Sequence, residues 1–350
     1  MMGRLSDYVC VQPFNYVEIY GPGIGLCCPN WLTKSVADGW WQSPREAFNS
    51  DSAQEIRESI HDGSFRFCTA CPYINDGVVV ENNGTVFRKE EAPPWLRKIV
   101  RKRKTKIDPA KVPLRALAGY DRTCNLCCPS CRVERIVTKG ERLAKAKEYQ
   151  DFLLEDFYPS LKALRVAGDG DSFASPVYWD LLKKLDKKRF PELRLTLNTN
   201  GLMFTPKTWA QIGMREDIEG VVVSVDAATA PTYKALRGGS WYKLDRNLRF
   251  MSLLKEHGFL KSVILNFVVQ KGNWREMKDF VDLGVRLGVT GLCFIGMRHW
   301  DFMPRKYYRE NAVCQPRHPE HEEFRAFLDD PVFQRDKDPW VSLDTDVWKA

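Results

Sequence analysis

No stretch of this chain approaches the roughly eighteen consecutive apolar residues needed to cross a bilayer. The longest apolar run, around Val263 to Val269, has only strand length. The N-terminus, Met-Met-Gly-Arg-Leu-Ser-Asp, also lacks the apolar core of a secretory signal. These two absences point to a cytoplasmic protein with no membrane partner. Cysteine is scarce in the C-terminal half: nine of the eleven lie before residue 132, and only Cys293 and Cys314 follow. In a cytosolic chain, thiols clustered this way suit metal or redox chemistry rather than disulfides. With 44% hydrophobic and 28% charged residues the chain is not disordered, and 350 residues suffice for a barrel-sized domain plus a smaller one.

The net charge of +8 is unevenly spread, because Arg97 to Lys106 carries seven cations in ten residues, just after Pro93-Pro94. Such a run suits either a polyanion such as nucleic acid or a solvated linker. No aromatic residues are interleaved as a stacking platform. Residues 93–112 are therefore read as a basic linker, with nucleic acid a possible but not favoured partner.

From Lys111 onward, short β-branched runs alternate with longer helical patterns. Strands are expected at 114–120, 161–167, 193–199, 220–225, 262–270 and 291–296. Helices are expected near 141–157, 176–187, 206–214, 242–257 and 274–287. This alternation predicts an α/β fold of parallel βαβ units. Such folds place their chemistry at the carboxyl ends of the strands, so the loops after them are the places to search.

The densest chemical signal is Cys124-Asn-Leu-Cys127-Cys128-Pro-Ser-Cys131, which follows the first of these strands. Cys124, Cys128 and Cys131 have C-x3-C-x2-C spacing. Three thiolates on one loop can hold three irons of a [4Fe–4S] cube and leave the fourth without a protein ligand. Cys128-x2-Cys131 as half of a four-thiolate zinc site is the competing reading. Cys127 is an extra thiol, expected to point away as a small buried hydrophobe.

At these residues the chain resembles the radical S-adenosylmethionine (radical SAM) superfamily. The resemblance implies a partial (β/α)6 TIM-like barrel over 113–300, and the six strands fit that number. It also implies that SAM chelates the open iron. An external electron donor such as flavodoxin or ferredoxin then drives reductive cleavage to a 5′-deoxyadenosyl radical, which takes hydrogen from the substrate. Further matches lie at later strand ends. Gly168-Asp169-Gly170-Asp171 stands at the family's GGE position, with Asp171 one methylene shorter than the usual Glu. Asn200 lies in a TNG-like ending, Ser224 and Asp226 in an SxD-like one, and Asn266 on strand five, followed by Gln270. The resemblance implies that Gly168, Gly170, Asp171, Asn200, Ser224, Asp226 and Asn266 bind SAM. Ser130 departs from the aromatic residue that the family commonly places before its third cysteine.

Residues 1–92 carry Cys10, Cys27, Cys28, Cys68 and Cys71 among aromatics and turns. They resemble the SPASM or twitch domains that hold auxiliary [4Fe–4S] clusters in this superfamily, although such a domain normally follows the barrel. No further cysteine lies between Pro72 and Glu91, so the resemblance implies at most one auxiliary cluster. The expected ligands are Cys10, Cys28, Cys68 and Cys71, with Cys27 able to replace Cys28 and zinc the alternative metal. An auxiliary cluster fully ligated by thiolates suits an electron relay.

His299, Arg298 and Asp301 follow strand six and are candidates for substrate contact or proton relay. Arg132, beside the last cluster cysteine, is placed to tune the cluster or to meet a carboxylate. Cys293 reads as core, and residues 301–350 as a helical cover. The favoured activity is oxidation or cross-linking of a peptide. The alternatives are oxidation of a sugar or aminocyclitol, modification of RNA, or a zinc-stabilised RNA-binding protein that is not an enzyme.

Overall fold

A computed structural model describes residues 4–21, 23–32, 34–75, 78–79, 84–300, 302–337 and 339–343. The chain divides into two compact units that do not follow simple sequence order. The first comprises Met1–Asp121, Lys139–Gly168 and Lys187–Arg194; the second comprises Arg122–Thr138, Asp169–Asp186 and Leu195–Ala350.

In the first unit, β1 (Tyr8–Cys10) pairs antiparallel with β7 (Val86–Arg88). The strands β2 (Tyr16–Tyr20), β3 (Gly23–Gly25) and β4 (Ala37–Asp38) form an antiparallel run. β5 (Ile74–Asn75) and β6 (Val78–Val79) make a small hairpin. Parallel pairing begins where β2 meets β8 (Arg115–Gly119) and β8 meets β9 (Ala163–Val166). At this point β8 and β9 run close together: a Cβ on Gly168 would lie 3.2 Å from the Gly119 Cα. The helix Asp51–His61 is capped by Ser50, which accepts from Ala53 N at 3.3 Å.

That helix buries Arg57 completely. Its guanidinium donates to the carbonyls of Pro13 (2.7 Å), Thr105 (2.7 Å) and Phe48 (2.6 Å) and to Asn49 Oδ1 (3.1 Å). The basic stretch read as a linker is not extended. It forms the helix Pro94–Arg101, anchored by buried Leu96, then a 3₁₀ turn over Pro109–Lys111. Lys89, Glu90, Arg97, Lys98 and Arg101 border an open cleft of about 580 Å³ beside it.

The second unit is a run of parallel strands: β10 (Arg194–Thr199), β11 (Ile218–Ser224), β12 (Ser262–Val269), β13 (Gly291–Gly296) and β14 (Trp340–Leu343). β12 shows why they form. Val263, Leu265, Phe267 and Val269 are buried, while the residues between them are only half-buried, the period-two signature of a strand. Helices return the chain between strands and begin at chemical caps. Ser175 accepts from Val177 N (3.2 Å) and Tyr178 N (3.0 Å), with Pro176 in the first turn. The helices Ala230–Arg237 and Met277–Leu287 end at Gly238 and Gly288, both left-handed. The fold is thus α/β with parallel strands, as the alternation predicts. The C-terminal segment supplies two short helices, Arg305–Asn311 and His321–Phe327, and also β14, a strand the sequence reading did not foresee.

Candidate functional site

The cysteine loop lies in the second unit, closed by one backbone bond and one bond to a side-chain hydroxyl. Cys124 N donates to Ile136 O (3.1 Å), and Thr138 N to Thr123 Oγ1 (2.9 Å). A tight turn follows, in which Cys131 N and Arg132 N both donate to Cys128 O, at 2.9 and 3.0 Å. This turn aligns Cys128 and Cys131. Cys128 is buried, and its thiol faces Arg237 O at 3.9 Å. Burial pushes its pKa up to about 11, with the Arg237 cation opposing the rise and Cys131 and Cys124 adding to it. Cys124 is raised too, first by burial and then by Asp171. Cys127 is exposed and hydrogen-bonds to Arg132 O at 3.8 Å, so it is not the buried hydrophobe expected. Among the described residues, no three His, Cys, Asp or Glu side chains close on a single-ion centre.

Asp171 ties the strand ends together. Its backbone N donates to Thr123 O at 3.0 Å, at the base of the cysteine loop. Its Oδ1 accepts from Phe173 N and Ala174 N, each at 3.0 Å, and its Oδ2 from Thr199 Oγ1 (2.9 Å) and Asn200 N (2.7 Å). A carboxylate has about four acceptor sites, and here all are filled. The contact with a SAM amino group that the resemblance implies for Asp171 is not offered by this geometry: the shorter side chain turns back onto its own loops. Asn200 is likewise engaged. Its Nδ2 donates to Asn125 Oδ1 at 2.7 Å and faces Cys124 Sγ at 3.7 Å, while its Oδ1 accepts from Leu202 N at 3.1 Å.

Asp226 follows β11 with φ of +60°, a left-handed conformation uncommon outside glycine. Fully buried, its carboxylate accepts from Val268 N (2.8 Å) and from Arg237 (2.9 Å), while Asn273 Nδ2 donates to its carbonyl (2.9 Å). Ser224 and Asn266 are register partners on adjacent parallel strands, both half-buried, so their side chains share one face of the sheet. Gly170 is half-buried in the Asp171 loop, whereas Gly168 belongs to the first unit. His299 is exposed, with its ring 5.3 Å from that of Tyr308; Arg298 is half-buried, and Asp301 lies outside the described residues.

Three residues went unnoticed in the sequence. Arg237 and Tyr233 lie on the helix after β11 and surround Cys128 and Asp226 electrostatically. Only their position one helix after the SxD-like ending singles them out, since a cation on a helix ordinarily faces water. Asn273, which buttresses the Asp226 loop, carries no motif at all.

In the first unit, Cys10, Cys27, Cys68 and Cys71 line a small cavity of about 20 Å³ with Pro13, Trp31 and Tyr73. Burial drives the Cys68 thiol up to about 12, with Cys71 adding to it; Cys10 and Cys27 are raised for the same reasons. Cys28 does not line this cavity. Of the adjacent pair, Cys27 is the one that faces the cavity.

The radical SAM cofactors fit the donor set in the second unit. Three thiols share one loop, and N–H groups of Leu126, Asn200 and Arg132 are directed at Cys124 or Cys131. Hydrogen bonds of this kind serve the sulfurs of an iron–sulfur cluster. Among the described residues, buried polar atoms of Gln270, Tyr233 and Arg237 have no protein partner, which a polar ligand would satisfy.

Over 165 residues the chain is 28% identical to the FeMo cofactor biosynthesis protein NifB of Methanocaldococcus infernus, a match covering 42% of this chain and 52% of NifB. The chain thus spans about half the length of that curated relative. No family model matches. Among solved structures, Streptococcus suis SuiB bound to precursor peptide SuiA aligns with a TM-score of 0.49 at 14% identity, over 83% of this chain and 62% of SuiB. Native anSMEcpe with bound AdoMet aligns with a TM-score of 0.42 at 16% identity, over 65% of this chain and 63% of that one.

The second unit thus gathers a C-x3-C-x2-C loop and polar strand ends on the parallel strands of an α/β fold.

Proposed function

We propose that Cys124, Cys128 and Cys131 hold a [4Fe–4S] cluster with SAM on its open iron, and that the chain uses this pair to abstract hydrogen from a substrate. The C-x3-C-x2-C spacing of three thiols on a single loop, turned by Cys131 N and Arg132 N onto Cys128 O, is the observation that carries the reading. When bound, the cofactors supply reductive cleavage of the SAM sulfonium, with one electron from a flavodoxin- or ferredoxin-class donor.

The protein's own contribution is placement. Asp171 fixes the cysteine loop against the ends of β10, and Asp226 and Arg237 do the same beside Cys128. Ser224 and Asn266 offer polar groups for the ribose and carboxylate of SAM. Burial around Cys128 keeps water away from the reaction.

Cys10, Cys27, Cys68 and Cys71 are proposed to hold an auxiliary cluster. Four thiols facing one cavity support a relay that accepts an electron, and hence a net oxidation. On this reading the substrate is a peptide, with a sugar or aminocyclitol as the alternative. Anaerobic reduction with SAM should release 5′-deoxyadenosine from the wild type and none from Cys128→Ala. Normal SAM cleavage by that variant overturns the ligand assignment.

A further inference from the structure

Arg132 is buried, and its guanidinium approaches Cys131 side-on. Nε and Nη2 each lie 3.5 Å from Sγ, so two N–H groups point at one sulfur. The rest of the fork is anchored by backbone. Nη1 donates to Arg122 O at 2.9 Å, and Nη2 donates to Asp169 O. Arg122 and Asp169, which provide those carbonyls, are themselves joined by an ion pair of 3.4 Å. A guanidinium has five N–H donors, and four are committed here. Too few remain for a bidentate grip on a carboxylate, so of the two roles open to this cation in the sequence the geometry favours the one at the sulfur.

We propose that Arg132 is a positioning residue that sets the reduction potential of the cluster on Cys124, Cys128 and Cys131. The inference rests on the proposed cluster assignment and deepens it. Reduction adds one electron, delivered by the external one-electron donor, and breaks no bond. The reduced cluster is one unit more negative, so a buried cation and two N–H···S bonds stabilise it more than the oxidised form. Arg132 thereby raises the potential and makes the cluster easier to reduce.

The test uses the full chain, reconstituted with iron and sulfide and free of SAM, poised at set potentials and read by EPR. In Arg132→Gln, the reduced-to-oxidised ratio at the wild-type midpoint should fall about tenfold, equivalent to about 59 mV for a one-electron couple. Arg132→Lys keeps the charge but loses the planar fork, and should fall between the two. A purely structural role would lower cluster occupancy and leave the midpoint unmoved. Ratios within about twofold of wild type in the loaded variants overturn the inference. If Arg132→Gln does not load, the lysine variant decides: an unshifted midpoint refutes the role and a lowered one supports it. A wild-type chain that takes up no cluster sinks the function proposed above, whereas a loaded wild type with unshifted variants sinks this inference alone.

Discussion

Asp171→Asn is the sharpest probe of how the second unit holds its cysteine loop. Asp171 is 1% exposed, and its two oxygens accept four hydrogen bonds. Asparagine keeps the shape but exchanges one oxygen for an NH₂ group. Either orientation of the amide sets a donor against two donors: Phe173 N and Ala174 N on one side, or Thr199 Oγ1 and Asn200 N on the other. Two bonds to a charged acceptor are lost, at about 1.5–3 kcal/mol each. Rotation of the Thr199 hydroxyl and some relaxation of the loop recover part of this, so a net loss of about 2–4 kcal/mol is expected. Urea unfolding of the apo protein, followed by tryptophan fluorescence, measures it. Thr199→Val, which removes a donor to Asp171 and the acceptor of Gly201 N, should cost about 1–2 kcal/mol. Asp171→Glu should not rescue stability, because an added methylene moves the carboxylate off the four donors that the shorter side chain meets. A loss below about 0.5 kcal/mol for Asp171→Asn, or wild-type stability for the glutamate variant, refutes the reasoning.

Two further outcomes follow from the first unit. Cys27→Ala should lower the iron bound by the reconstituted protein, whereas Cys28→Ala should leave it near wild type, by metal analysis; equal losses would count against the cavity assignment. Both variants should still release 5′-deoxyadenosine. His61 is buried with Nε2 at 2.9 Å from Lys104 O, and burial holds its pKa below the ordinary imidazole value. A depressed folded pKa means that the unfolded chain binds the proton more readily. The stabilisation is therefore complete above about pH 6.5 and is lost as the pH falls. His61→Gln should flatten the dependence of the denaturation midpoint on pH between about 7 and 5, and an unchanged slope would remove His61 as its source.

Much of the fold was legible because period-two burial marks strands regardless of their neighbours. β12 and β13 fall at the expected positions, and β8 to β11 lie within one or two residues of theirs. Short helices were harder. The pattern over 206–214 yields only Pro206–Trp209, because Gly213 sits against the Leu185 carbonyl and the chain turns there. The helix Ala230–Arg237 was missed because it is short and buries only Tyr233, too little to show an apolar face. The cysteine spacing announced the thiol loop, since ligand geometry is local. What Asp171, Asn200 and Asp226 bond to was not announced. Those partners lie on other strands, and a motif letter does not say whether a carboxylate faces a ligand or a backbone N–H. The choice of Cys27 over Cys28 was equally hidden, because adjacent thiols differ only in the side of the chain from which they project.

Asp226 meets two demands that few residues satisfy together. Its backbone bends the way glycine and asparagine tolerate, yet Arg237 opposite requires a negative charge. Glycine or asparagine would suit the bend and strand the guanidinium in a dry interior, while glutamate would keep the charge and resist the bend. The position therefore admits essentially a single letter, and Asp226 is held in place by stereochemistry as firmly as by any chemistry it supports.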